Sequence, residues 1–161
     1  MPSDADIEAR FWKELKASPV VMLGLDSTRD SHIRPMTAHL AEATSGPLWF
    51  FTAKDNGLVQ TLKESHRAIA TYVSKGHDLF ASIHGDLQLD NDRATIDRLW
   101  NNQVAAWFEH GRDDPKLALL RLDTEKAEIW LGETMIGAAI TRLLGRDPKE
   151  VNRDKVAKVT L

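Results

Sequence analysis

The run Leu79-Phe-Ala-Ser-Ile-His-Gly-Asp-Leu-Gln-Leu89 decides the fold, because Leu79, Ala81, Ile83, Gly85, Leu87 and Leu89 recur at every second residue. Successive side chains of an extended chain point to opposite faces, so a period of two predicts a long antiparallel strand with these residues facing a core. Just upstream, residues 68–74 read as a second strand. Further back, Leu48-Trp-Phe-Phe-Thr52 follows the Ser45-Gly46-Pro47 turn as an aromatic strand. Residues 32–41 form another, with Arg34, Met36, Ala38 and Leu40 on one face and Ile33, Pro35, Thr37 and His39 on the other. Pro35 has no N–H for a ladder, so this strand is irregular there or lies at a sheet edge. The apolar run over 19–25 precedes it across a polar hairpin loop at 26–31.

Helical spacing appears in the flanks. Ser3 or Asp4 caps a first helix in which Ile7, Phe11 and Leu15, with Trp12 beside them, recur until Pro19 stops it. Asn56 caps a short helix with Leu58, Val59 and Leu62 on its stripe, reaching about residue 65. Asp90 or Asn91 caps another carrying Ile96, Leu99 and Trp100. A loop over 104–116 then holds Trp107-Phe108 and the turn Gly111-Arg-Asp-Asp-Pro115. Strands over 117–122 and 127–131 flank a turn at 123–126. Residues 137–144 read as a last helix, closed by Gly145 and Pro148, and the tail ends in Val156, Val159 and Leu161. The expected fold is mainly β with peripheral helices, a six-stranded antiparallel split barrel whose closure removes exposed sheet edges.

At 161 residues the chain is one domain, 1–161, with 145–161 as a C-terminal extension. It has no cysteine, which excludes thiol catalysis, disulfides and cysteine-held metal clusters. A net charge of −3 argues against a broad nucleic-acid face. No apolar run reaches membrane-span length, and the acidic residues over 1–16 do not suit a signal peptide, so a cytoplasmic protein without membrane or nucleic-acid partners is expected. The six histidines show no metal-ligand spacing, so no metal site is expected.

The informative local feature is Phe50-Phe51-Thr52-Ala53-Lys54-Asp55-Asn56-Gly57-Leu58, a strand entering a helix. Backbone N–H groups at the helix start, the Thr52 hydroxyl and the Lys54 ammonium together can hold a phosphate, although plain capping by Asn56 explains the same pattern. Arg34 needs an anion, either an acidic side chain or a phosphate. Trp49, Phe50, Phe51, Trp107 and Trp130 can line a flat ligand or simply fill the core. Asp113-Asp114 before Pro115 suits a turn better than paired-carboxylate catalysis.

These residues also form a pattern. Arg34-Pro-Met-Thr37, Leu48-Trp-Phe-Phe-Thr52, Gly85, Asp92 with Leu99-Trp100, Trp107-Phe108 with Gly111-Arg-Asp-Asp-Pro115, Leu119-Leu-Arg121 and Ala127-Glu-Ile-Trp130 occur in an order that resembles the general stress protein 26 group of the pyridoxamine 5′-phosphate oxidase-like, FMN-binding split-barrel proteins. The resemblance implies a homodimer with a flavin in each of two clefts between subunits. Carried onto this chain, it places Arg34 on the phosphate, Pro35, Met36 and Thr37 along the isoalloxazine ring, and Phe51 and Thr52 farther along the cleft. The helix start at Asn56-Gly57 then faces the anion. Similar proteins place a phosphate-pairing lysine where this chain has Gly57 and Leu58, so FMN binding is expected to be weakened unless Lys54 or Lys63 substitutes. FAD, a deazaflavin or haem are the alternative ligands.

The implied function is that of an FMN-dependent oxidoreductase acting on a small substrate, with no catalytic acid or base assigned. The alternative is a binding or interaction protein without turnover. Pyridoxamine phosphate oxidases follow the last-strand tryptophan with an Arg-x-His motif. Here the chain reads Trp130-Leu-Gly-Glu-Thr-Met-Ile136, so efficient oxidation of that vitamin is not expected.

Overall fold

The computed structural model describes residues 2–26, 32–42, 44–62, 66–132 and 156–161. A capping box opens it: the Ser3 hydroxyl accepts from the Asp6 N–H at 3.2 Å, while the Asp6 carboxylate accepts from the Ser3 N–H at 2.9 Å. Helix α1 (Asp4–Ala17) follows and buries Ile7, Phe11, Trp12 and Leu15.

Among the described residues eight strands form one antiparallel sheet: β1 (Val20–Leu25), β2 (Arg34–Thr37), β3 (His39–Leu40), β4 (Leu48–Ala53), β5 (His66–Val73), β6 (Leu79–Leu89), β7 (Leu117–Leu131) and β8 (Val156–Thr160). Their order is β2-β1-β5-β6-β7-β4-β3, with β8 beside β7. β2 and β3 therefore stand at opposite ends of the sheet, although only Ala38 separates them in the chain. The sheet closes through this one interrupted strand. Its first half pairs with β1, where Met36 faces Val21, and its second half with β4, where His39 faces Trp49. At the switch the Ala38 N–H donates to the Pro19 carbonyl at 2.7 Å. The interruption thus falls at Ala38, and Pro35 sits within β2 opposite Met22. Counted as one, β2 and β3 complete the six-stranded split barrel, and β8 is an added strand on its flank.

Several expectations change. Residues 117–131 form one strand, not two around a turn, because β6 supplies ladder partners across the expected turn, from Leu120 to Leu131, and β4 supplies them for 117–122. The polar stretch at 123–126 is absorbed by a bulge: Thr124 pairs with Gly85 and Lys126 with His84, which leaves Glu125 as the extra residue. Gly85 is required there, since a Cβ would lie 2.1 Å from the Asp123 carbonyl oxygen. Leu89 is 44% exposed, because β5 stops pairing at Leu87 and the end of β6 runs past the core.

Helix α3 (Arg93–Leu99) is capped by Asp92, not by Asp90 or Asn91. Those two are engaged elsewhere: Asp90 meets the Arg121 guanidinium, and the Asn91 amide bonds the Leu117 carbonyl and the Leu119 N–H. The loop after it contains α4 (Asn102–Ala105) and a 3-10 turn at Gly111–Asp113. Helix α2 (Gly57–Thr61) is shorter than expected. The helix expected over 137–144 and the loop residues 27–31 lie outside the described residues. Within the expected tail, β8 is ladder-paired to β7 and buries Ala157.

Two apolar clusters result. α1, the barrel interior and Ala157 form the larger one, around Phe11, Leu15, Leu23, Phe50 and Ile83. The smaller joins α3 and α4 to the outer face of β4 and β7 through Trp49, Ile96, Val104, Phe108, Leu117 and Leu119. Among the described residues no helix is long and apolar enough to cross a membrane.

Candidate functional site

The gap between the barrel and the α3–α4 lobe is a cavity of about 400 Å³, within the usual range for small-molecule sites. β2 and β3 contribute Pro35, Met36, Thr37 and His39. β4 and the turn after it contribute Phe51, Thr52, Ala53 and Asn56. α4 and its exit turn contribute Gln103, Val104, Trp107 and Phe108. The strand period explains three of the first set, because Pro35, Thr37 and His39 share the face turned away from the barrel interior, while Met36 lies on the other face and packs against the main core.

The aromatic wall is a connected array. Phe51 stands edge-on to His39 at 5.3 Å and to Trp100 at 5.9 Å, and Trp100 packs on Phe108 at 5.9 Å. The Arg112 guanidinium lies over the Trp100 ring at 5.8 Å. Trp107 at the rim is 84% exposed, an unusual amount for so large an apolar side chain. Burial pushes the His39 imidazole below its ordinary pKa, which favours the neutral ring.

At the other end of β4 the side chains are polar. Asn56 Oδ1 accepts from Arg34 Nη1 at 2.8 Å and from the Leu58 N–H at 2.9 Å. One side chain therefore caps α2 and holds the arginine beside the cavity. A Cβ on Gly57 would lie 3.8 Å from Arg34 Nη2, so the glycine keeps this corner open without being sterically required.

The structure thus brings Pro35, Met36, Thr37, Phe51, Thr52 and Asn56 to one cavity, with Arg34 and Gly57 at its edge. Leu58 behaves differently: only its N–H faces this corner, it is already used by Asn56, and the side chain is 2% exposed in the main core. Lys54 lies exposed on the turn, where its N–H donates to the Lys116 carbonyl. Of the candidate aromatics, Phe51 and Trp107 line the cavity. Phe50 is fully buried in the barrel, Trp49 belongs to the second cluster, and Trp130 lies on the outer face of β7, because β4 and β7 turn alternate residues inward. Asp113 pairs with Arg93, and Asp114 accepts from the His110 and Lys116 N–H groups, so this acidic pair builds the turn before β7. Those backbone bonds hold the Asp114 carboxyl below the usual range.

Sequence reasoning missed His39 and Gln103. For His39 the available signal is its alternation with Pro35 and Thr37 on one strand face. Gln103 had none, because its place depends on α4, which is too short to leave a period. Among the described residues no group of three or more His, Asp or Glu is placed to hold a metal.

The family profile described as Pyridoxamine 5'-phosphate oxidase like matches residues 6–145. Among solved structures, a general stress FMN/FAD binding protein from Xanthomonas citri is 55% identical with a TM-score of 0.77, over 81% of this chain and 92% of that one. A protein assigned to the general stress family, from Xanthomonas campestris pv. campestris, is 54% identical with a TM-score of 0.79, over 83% and 92%. One assigned as a general stress protein 26, from Jannaschia sp. CCS1, is 27% identical with a TM-score of 0.81, over 99% and 100%. No curated protein matches.

Proposed function

Since the chain belongs to the pyridoxamine 5′-phosphate oxidase like family, we propose that it is a cytoplasmic, homodimeric flavoprotein that holds FMN in the cavity beside β2 and supports redox chemistry on a small substrate. The observation that carries this reading is an aromatic-walled cavity with the Arg34–Asn56 bond at its polar end. A flat ring would cover Trp107, and an anionic group suits the guanidinium. Pro35, Met36 and Thr37 would run along the ring, Phe51 and Thr52 would continue the cleft, and Arg34, with Asn56 and Gly57 beside it, would meet the phosphate. Lys54 stands on the adjacent exposed turn and can add charge there.

When bound, a flavin supplies reversible acceptance of electrons or hydride. The chain's own residues would bind and orient it: the aromatic wall excludes water, and Arg34 neutralises the anion. Without an Arg-x-His motif directly after Trp130, where the chain reads Leu-Gly-Glu-Thr-Met-Ile136, pyridoxamine phosphate is a poor candidate substrate.

The dimer reading is supported by a row of exposed apolar side chains in cross-strand register. Val73 pairs with Phe80 and Phe80 with Trp130, while Met22 on β1 pairs with Pro35 at the cavity edge. A patch of this kind marks an interface. A second reading, binding without turnover, is favoured by Gly57 and Leu58 standing where similar proteins carry a lysine. Flavin that cycles with an added reductant and acceptor supports the first reading over the second.

The test is the visible spectrum of the purified chain, followed by titration with FMN while tryptophan fluorescence and melting temperature are recorded. Yellow protein, or saturable quenching with a raised melting temperature, is the expected result. A colourless chain indifferent to FMN overturns the reading.

A further inference from the structure

Among the residues that line the cavity, His39 alone carries a side chain that titrates near neutral pH. Its ring meets Phe51 edge-on, with planes 82° apart, and among the described residues neither ring nitrogen has a hydrogen-bond partner. A half-buried imidazole in a cavity wall takes its hydrogen-bond partners from water or from a molecule that fills the cavity. In its neutral form it offers one N–H donor and one lone-pair acceptor.

Position adds the second argument. His39 pairs with Trp49 near the start of β4, whereas Asn56 follows the end of that strand. The four residue steps from Trp49 to Ala53 span about 13 Å at roughly 3.3 Å per step. The cavity therefore has a cationic end at Arg34–Asn56 and an uncharged, hydrogen-bonding end at His39.

Resting on the flavin reading, we infer that His39 is a ligand-contacting residue that hydrogen-bonds an uncharged donor–acceptor edge of the bound heterocycle, such as an imide or a ring nitrogen. It selects the ring, while Arg34 selects the anion.

The experiment titrates the full chain with FMN and with riboflavin, which lacks the phosphate, and compares His39→Phe, His39→Gln and Arg34→Gln. Phenylalanine keeps a ring against Phe51 and removes both nitrogens; glutamine restores a donor and an acceptor. His39→Phe is expected to weaken both flavins equally, by about threefold to tenfold, with most of the loss recovered in His39→Gln. Arg34→Gln is expected to weaken FMN and leave riboflavin unchanged. Wild-type affinity for both flavins in His39→Phe, with an unaltered melting temperature, overturns this inference and leaves the flavin reading standing. A wild-type chain that binds neither flavin overturns that reading and this inference with it.

Discussion

Neighbouring residues 57 and 58 differ in what they can carry. Gly57 is exposed beside the Arg34 guanidinium, whereas Leu58 is 2% exposed in the core. Gly57→Lys is therefore expected to raise FMN affinity by about a decade, the worth of one charge-assisted hydrogen bond, with little change in melting temperature. Leu58→Lys forfeits roughly 1.5–3 kcal/mol of leucine burial and forces an ammonium toward the barrel, so its melting temperature falls sharply. Paired FMN titrations and melts of the two variants check this; the opposite order of effects would misplace the phosphate. Arg34, Thr52 and Asn56 were legible as candidates for one polar corner, and the structure brings Arg34 against Asn56 beside the cavity that Thr52 lines. The apolar stripe of α2 at Leu58 and Leu62 was legible as well, but not that Leu58 gives its side chain wholly to the core and only its N–H to this corner, because the Asn56 cap that claims that N–H is fixed together with Arg34 from a distant strand.

Among elements, the β6–β7 pair carries the most structure on the fewest exceptions. Gly85→Ala drives a methyl group into the Asp123 backbone, which cannot give way as a flexible side chain would. The expected cost is about 3 kcal/mol or more, read as a lowered urea midpoint or a failure to fold. A wild-type midpoint would contradict the close approach. Helix α1 is tied to the sheet by Tyr72, whose hydroxyl donates to the Glu14 carbonyl at 2.8 Å. Burial, and secondarily the Glu14 charge, push its pKa up to about 12 from an ordinary 10.0. A raised folded-state value means that this stabilisation is fully present below pH 10 and is lost as the pH climbs toward 12. Tyr72→Phe should cost about 1 kcal/mol at pH 8 for the hydrogen bond and flatten the alkaline fall in stability. Urea unfolding at pH 8 and pH 11 reads both effects. The alternation of β6 was legible from Leu79 to Leu87 but not at its exposed end, Leu89, and the turn expected at 123–126 was not a turn, because polar residues on an outward bulge look the same in sequence as residues in a loop.

At the scale of the molecule, the barrel closes where residues 34–40 exchange one partner strand for another, and the same segment walls the cavity. Its outer face presents Phe80, 39% exposed, beside Trp130, 37% exposed. On the dimer reading, Phe80→Glu is expected to halve the mass seen by light scattering at micromolar concentration, and to lower flavin affinity if the cleft needs both subunits. An unchanged mass would remove this face from the interface.

The sequence by itself determined what local chemistry determines: the strands with a two-residue period, the capped first helix, the absence of cysteine chemistry, and the family pattern around Arg34–Thr37. Those signals act between residues close in the chain, through side-chain alternation, caps and proline. Only the tertiary structure decided that Ala38 is the point of closure and that Asp92 and not its neighbours caps α3. It also decided that His39, Gln103 and Trp107 share one cavity with Pro35 and Thr37. Each of these depends on partners far away in sequence, and a side chain's competing bonds, as at Asp90 and Asn91, are settled only when the whole sheet is in place.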